Sequence, residues 1–403
     1  MEVFIPVEQA RKIIFDAVPE MPKEVVLFDT ALGLTLAEGI VSNDAIPPFA
    51  NSAMDGYAVI ASDFEKMPAT LRKIGEIPAG SVATDVVHFG TCMKIMTGAP
   101  FPEGADAVAP IEWVLHEEGE MVTFNKAPGS GQHVRPAGQD VAKGERVIDA
   151  GEIVSPPVIG MLATLGFEKV TVRTPPKVAI IATGDELIAP GEAMSPGKIR
   201  NSSGYALHAQ VKHAGGHPLL PFLARDNKES IAQVLEAALE ADVLIFAGGV
   251  SVGDYDLVKQ VLDDFGMEMH FWKVKQRPGK PLAFGQLRGK PVFGLPGNPV
   301  SSAMCFEQYV RPAFAKMLGR KRLMRMLHPA VLLQDTPKVK GLHFFARGIA
   351  SYNEQQRLVV QDTGPQASNL YSSVVKANCI FHIPDTLEAA PAGTVVQLEW
   401  LDW

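Results

Sequence analysis

The first strong periodicity along the chain is helical. Ala10, Ile13, Ile14, Ala17 and Val18 stand at i, i+3, i+4, i+7 and i+8, one apolar stripe. After Pro22, short strand-like pieces lead to a break at Pro47-Pro48. Residues 50 to 135 are rich in Gly, Pro and β-formers with only short apolar runs, which predicts a β-rich module. Ser155 as N-cap with Pro156 at N1 predicts a second helix that stops before Gly166, and EKVTV follows as a strand. Thr174-Pro175-Pro176 reads as a linker, and beyond it the pattern changes. KVAIIATG and DVLIFAGG are continuously apolar, as strands covered on both faces are. They alternate with amphipathic segments over 202–213, after Asp226, over 257–265 and from Pro299 to Leu318. Further strands are expected in HPLLPFLA and near 267–271, 281–284 and 291–294. This alternation predicts a mainly parallel sheet between helices, with ligands beyond the carboxyl ends of its strands. From about residue 322 only short strand-like pieces remain (AVLLQ, FFARGIA, RLVVQ, CIFHIP, TVVQLEW), which predict a small all-β domain.

Length and composition agree with several domains. The 403 residues exceed the ~250–300 at which single cores stop growing. The 47% hydrophobic content supplies large cores. A net charge of -8 without a Lys/Arg block argues against nucleic acid as a partner. Cys92, Cys305 and Cys379 are far apart and odd in number, which predicts free thiols in a reducing compartment and excludes a four-cysteine zinc site. The start MEVFIPVEQARK has no signal-peptide pattern, and the apolar runs are strand-length. The expectation is a cytoplasmic protein that does not span a membrane.

Candidate chemistry gathers where strands run into polar or Gly-rich turns. In ATGDE, Thr183 and Gly184 offer backbone N–H groups, and Asp185 and Glu186 place two carboxylates at a strand's end. A plain helix-capping turn competes on even terms there. AGGVSVGDYD sets Gly248 and Gly249 beside Ser251, with Asp254 and Asp256 behind, and suits an anion better than a mere flexible turn does. QRPGKP holds Arg277 and Lys280 around Pro278-Gly279, two cations suited to an oxyanion or simply to solvent. In GLPGNPVSS, Pro296 precedes Asn298 at an N-cap and Pro299 at N1; such a helix start binds phosphate but is also how helices begin. ANSAMDGYA and MTGAP carry Asp55 and Thr97 on turns that are unassignable alone. Metalloprotease, nucleophile-elbow and P-loop motifs do not occur, and the ten His form no ligand-spaced cluster.

As an ordered set these segments resemble the MoeA family, which includes the E domain of gephyrin. The matching stretches are PPFANSAMDGYA, IMTGAPFPEGADAV, GQHVRPAGQD, ATGDEL, GGVSVGDYD, RPGKP, GLPGNPVSS, FFARG and SNLYSS, from residue 47 to 373. The resemblance implies a multidomain α/β and β protein. Its expected domains are a discontinuous linker domain (1–46 with 136–174), an inserted β-rich domain (47–135), a three-layer α/β molybdopterin-binding domain (175–321) and a C-terminal β-domain (322–403).

The resemblance further implies a molybdopterin molybdenumtransferase reaction: adenylyl-molybdopterin plus molybdate gives molybdenum cofactor and AMP, with Mg2+. A homodimer is implied as well. Asp55, Thr97, Asp140, Glu186, Asp226 and Asp256 match catalytic positions, with Glu186, Asp226 and Asp256 as metal ligands. Asp55 and Thr97 are implied to reach the α/β site of the other subunit. Thr183, Gly184, Asp185, Gly248, Gly249, Ser251, Pro296, Asn298 and Pro299 match the pterin and phosphate contacts, and Arg277, Lys280, Arg347 and Ser368 the molybdate surroundings. Ala50, Arg277 and Ser203 depart from the family's frequent Asp, Lys and Asn; Arg277 keeps its charge, and Ala50 and Ser203 are left out of the site. Further implied partners are a molybdopterin adenylyltransferase and molybdoenzyme maturation proteins. Competing readings are an adenylyltransferase of the same α/β type, whose usual G-G-T-G turn is Gly248-Gly249-Val250-Ser251 here, and a receptor scaffold.

Overall fold

The computed structural model describes residues 1–249 and 257–403. Two compact units emerge: Met1–Ala37 with Ala150–Ser155 and Lys169–Trp403, and Glu38–Asp149 with Pro156–Glu168.

The first unit is built on an eight-stranded sheet. Its strands are β1 (Glu2–Ile5), β2 (Lys177–Thr183), β3 (His217–Pro218), β4 (Phe222–Ala224), β5 (Val243–Ala247), β6 (Glu268–Val274), β7 (Ala283–Leu287) and β8 (Lys290–Leu295). The spatial order is β1-β6-β7-β8-β5-β2-β3, with β4 also on β2. Pairings around β2 and β5 are parallel, as the continuous apolar runs predict. The β6-β7-β8 segment is antiparallel, and β1 closes that edge in parallel with β6.

Alternate residues of β2 feed opposite cores, as the pleat requires. Val178 and Ile180 pack with helices α1 (Val7–Ala17), α2 (Ser202–His213), α5 (Pro299–Cys305) and α6 (Arg311–Met317). Ala179 and Ile181 pack with α3 (Lys228–Ala238) and α4 (Leu257–Asp264). The apolar stripe of α1, expected in the linker domain, is part of the first of these cores through Ala10, Ile14 and Val18. The segment from Pro299 to Leu318, expected as one helix, is interrupted by a π turn over Phe306–Val310. That turn buries Glu307 and Gln308, which α5 and α6 in unbroken α geometry would present differently.

A three-stranded sheet pairs 23–27 and 35–36 with 169–173 in the same unit. The C-terminal strands His328–Leu332, His343–Tyr352, Leu358–Asp362, Cys379–Ile383 and Val395–Trp400 close into a small barrel, because His343–Tyr352 pairs with both Leu358–Asp362 and Cys379–Ile383. The short strand Gln276–Arg277 adds to this barrel in parallel, Arg277 opposite Phe344.

The second unit is β-rich. Its main sheet has six strands, with Gly56–Val59 between Thr91–Ile95 and Ala107–Pro110. The helix Pro156–Thr164, expected with the linker domain, belongs to this unit. The three cysteines are free and buried. Among the described residues no helix is long and apolar enough to cross a membrane.

Candidate active site

The carboxyl ends of β2, β5 and β8 open into a cleft of about 940 Å³. Thr183 ends β2, and the chain turns through Gly184, where a Cβ would collide with the folded-back Glu186 carboxylate. Two short parallel strands, 187–188 and 199–200, then hold the far side of this loop. Glu186 and Asp226 line the cleft, together with Thr183, Gly248, Gly249, Pro296, Asn298 and Pro299. Gly248 and Gly249 take positive φ of 105° and 67°. A Cβ on Gly249 would sit 2.9 Å from Thr183 Oγ1, so only glycine lets that turn close over the strand end. Thr183 Oγ1 is buried and without a hydrogen-bond partner among the described residues.

The capping pattern separates functional from structural polar groups. Asn227, next to Asp226, caps α3 by accepting from Ser230 N at 2.8 Å. Asn201 caps α2 by accepting from Gly204 N at 2.9 Å. Asp226 and Asp185 meet only through reciprocal backbone N–H contacts of 3.4 Å. Asn298 stands at the N-cap of α5, yet its side chain makes no capping bond. Asp226 and Asn298 therefore face the cleft without a structural duty of that kind. Asp185 is beside the cleft rather than on its wall, and the Lys198 ammonium holds its backbone carbonyl.

Sequence reasoning passed over three residues of the wall. Arg200, Asn201 and Ser203 all line the cleft, and Ser203 Oγ donates to Gly297 O at 3.3 Å. Among the described lining residues Arg200 is the one cation, and Glu186 and Asp226 are the two acids. No motif marked it; the loop that carries it is placed by pairing with Leu187–Ile188. Ser251, Asp254 and Asp256 lie outside the described residues.

The turn over residues 277–280 is built from beneath. Gln276 Nε2 donates to Gly279 O at 3.1 Å, Tyr309 Oη donates to Gln276 Oε1, and the Cys305 thiol also reaches Gly279 O at 3.6 Å. Gly279 has φ 85°, and a Cβ there would strike the Cys305 sulfur. Arg277 and Lys280 are thus presented on a turn whose underside is fixed by buried groups. The Arg277 guanidinium lies 5.7 Å from the Phe344 ring, and the Lys280 ammonium 4.9 Å from that of Phe4.

Arg347 is fully buried on the barrel strand that also carries Phe344. Its Nε donates to Ser373 Oγ at 3.0 Å and its Nη2 to Ala367 O at 3.2 Å, while Nη1 has no partner among the described residues. Burial first, then the charge of Arg277, pulls its pKa down to about 10. Two cations that repel each other with one guanidinium nitrogen unpaired are an arrangement that an anion would relieve. Ser368 follows Ala367 directly, so it shares that loop.

In the second unit the structure brings Asp55 and Thr97 together. Asp55 Oδ1 accepts from Thr97 N at 2.7 Å and from Thr97 Oγ1 at 2.8 Å, and these bonds hold the exposed carboxyl below its ordinary range. Asp140 lines a separate pocket of about 390 Å³ with Asn51 and Arg135.

Three family models cover nearly all of the chain. The MoeA N-terminal region (domain I and II) matches residues 5–166, a probable molybdopterin binding domain 179–316, and the MoeA C-terminal region (domain IV) 329–401. A molybdopterin molybdenumtransferase of Haemophilus influenzae is 36% identical over 98% of both chains. The chain belongs to the MoeA family. A Mycobacterium tuberculosis molybdopterin molybdenumtransferase 2 is 34% identical over 97% of this chain and 98% of its own. The crystal structure of a molybdopterin biosynthesis MoeA protein from Pyrococcus horikoshii superposes with a TM-score of 0.85 at 32% identity, covering 99% of this chain and 100% of that one. MoeA membership makes the chain a transferase of molybdenum cofactor biosynthesis. The α/β fold, the β-rich unit and the C-terminal barrel are the MoeA fold.

Proposed function

We propose that the chain inserts molybdenum from molybdate into adenylyl-molybdopterin, releasing AMP and leaving molybdenum cofactor. The observation that carries this reading is the cleft at the strand ends: Glu186 and Asp226 face Gly-rich turns and an uncapping Asn298. Two carboxylates beside a pyrophosphate would repel it, and a divalent cation between them removes the conflict. Mg2+ is commonly held by one or two carboxylates plus substrate phosphates, so Glu186 and Asp226 fit it. Asp256, beyond the described residues, is a third candidate. When bound, the metal would neutralise charge on the phosphoryl oxygens as AMP leaves.

The chain's own residues supply the rest of the reading. The Thr183 hydroxyl and the Gly249 turn, with Pro296, Asn298 and Pro299, receive the pterin phosphate end; the N–H groups of Gly184 and Gly248, expected from the sequence to be available, are already donated to Ala224 O and Leu295 O. Arg277, Lys280, Arg347 and Ser368 hold molybdate, a tetrahedral dianion that suits fixed cationic donors. The sulfurs that take molybdenum belong to the substrate's dithiolene, so no protein thiol is required. The full-length match to transferases, rather than to an isolated α/β domain, favours this over an adenylyltransferase or a scaffold.

The family resemblance supports a cytoplasmic homodimer in which the partner subunit's Asp55 and Thr97 complete the site, and it also matches Asp140 to a catalytic position. Co-expression of Asp55→Ala with Glu186→Ala tests this arrangement. Restored partial activity supports it, and a strictly monomeric sedimentation profile at micromolar concentration contradicts it. The reaction itself is tested by AMP release from adenylyl-molybdopterin, which should require both molybdate and Mg2+.

A further inference from the structure

At the opposite ends of the same strands the first unit has a second cavity, of about 410 Å³. Pro175 precedes β2, and His217 opens β3 opposite Lys177. The seven residues of β2 put this cavity about 20 Å from the cleft. Its polar lining is cationic: Arg173, Lys212 and Arg320, with His208 and His217. Its described lining contains no Asp or Glu, in a chain whose net charge is -8.

Helix ends account for part of this charge. The cavity lies at the C-termini of α2 and α6, where each helix dipole places about half a negative charge. Arg173 is answered by Glu20. Arg320 and Lys212 then leave roughly one positive charge over, before either histidine is protonated. Arg320 is the more constrained. Its Nε donates to Thr35 Oγ1 at 3.2 Å, and Gly215, at φ 91°, has no Cβ because one would collide with Arg320 Nη2. Burial and the charge of Arg311 push this guanidinium below its ordinary range, and no carboxylate offsets them. Apart from Thr35 the rest of the wall has no polar side chain, and Leu32, Leu34 and Leu318 supply its apolar part.

We propose that this cavity is a second ligand site, separate from the catalytic cleft, for a phosphate monoester with an apolar body. The phosphate meets Arg320 and Lys212, and the body lies against the three leucines. The geometry excludes a cation and gives bare phosphate only half of the available contacts.

Calorimetric titration of the full-length protein with phenyl phosphate tests the assignment, with inorganic phosphate as the comparison. Saturable binding is expected, about tenfold or more tighter for phenyl phosphate than for inorganic phosphate. Lys212→Met, at an exposed position, should weaken it about tenfold and leave AMP release unchanged. Arg320→Met should abolish it if the variant folds, and Lys212→Met decides the matter if it does not. Three results overturn the proposal: no saturation by about 10 mM, an isotherm indifferent to Lys212→Met, or equal affinity for the two anions.

Discussion

Asp226→Asn and Asn227→Ala are neighbouring changes for which the structure requires opposite outcomes. Asn227 caps α3 through a 2.8 Å bond to Ser230 N, so Asn227→Ala should cost about 1 kcal/mol, within a range of ~0.5–2. Asp226 is exposed and makes only a 3.4 Å contact with Asp185 N, so its amide variant should stay within about 0.5 kcal/mol of wild type. In a unit of this size 1 kcal/mol moves the melting temperature by about 2–4 °C or less, which differential scanning resolves. Activity should divide the other way. On the proposed role of Asp226 as a Mg2+ ligand, its amide variant should lower AMP release by at least about 10²-fold. Asn227→Ala should keep wild-type turnover per folded molecule. Both variants are measured for melting temperature and for molybdate-dependent AMP release. The reasoning is refuted if Asp226→Asn melts as early as Asn227→Ala while its folded fraction turns over normally, because Asp226 would then be structural.

Three further outcomes follow from buried groups. Arg347→Met leaves Ser373 Oγ and the Ala367 carbonyl without their donor, at a cost of about 1–3 kcal/mol, and should abolish the response to molybdate; a folded variant whose molybdate response is unchanged would contradict this. Tyr309→Phe leaves the Gln276 carbonyl unpaired beneath the turn over residues 277–280, at a cost of about 1–3 kcal/mol, and should raise the molybdate concentration needed for half-maximal AMP release while pterin affinity stays constant. Desolvation of the half-buried His343, then the charges of His382 and Arg11, lower its pKa from 6.5 to about 3; the unfolded chain therefore binds a proton that the folded one refuses, and stability should fall as pH drops from 6.5 towards 3. His343→Leu should flatten that part of the urea-midpoint profile against pH, and an unchanged profile would contradict the assignment.

Strongly patterned segments were legible before any coordinates. The continuous apolar runs at 178–182 and 243–247 identify the central parallel strands because burial on both faces leaves no alternation. Glu186, Asp226, Gly248 and Asn298 were reachable because each follows a strand end or starts a helix, and the sheet gathers such positions at one edge. What escaped depends on long-range pairing. β1 looks like an isolated tetrapeptide until its register with β6 is known, and α1 joins the α/β core because of it. The π turn at 306–310 has an ordinary helical pattern, and its cause is tertiary: Gln308 bonds Arg11 and Glu399, far away in sequence. Arg200 has no motif, since a two-residue strand places it. Arg347 carries a further signal only in the structure, in the nitrogen its burial leaves without a partner.

The central claim is that the cleft at the carboxyl ends of β2, β5 and β8 couples molybdenum insertion to AMP release. The direct measurement is AMP released from adenylyl-molybdopterin by the purified chain, with molybdate and Mg2+ omitted in turn, beside Glu186→Gln. The account predicts release that needs both ions, yields molybdenum cofactor with each AMP, and disappears in Glu186→Gln without loss of melting temperature. Release that ignores molybdate, or that survives Glu186→Gln, would contradict it.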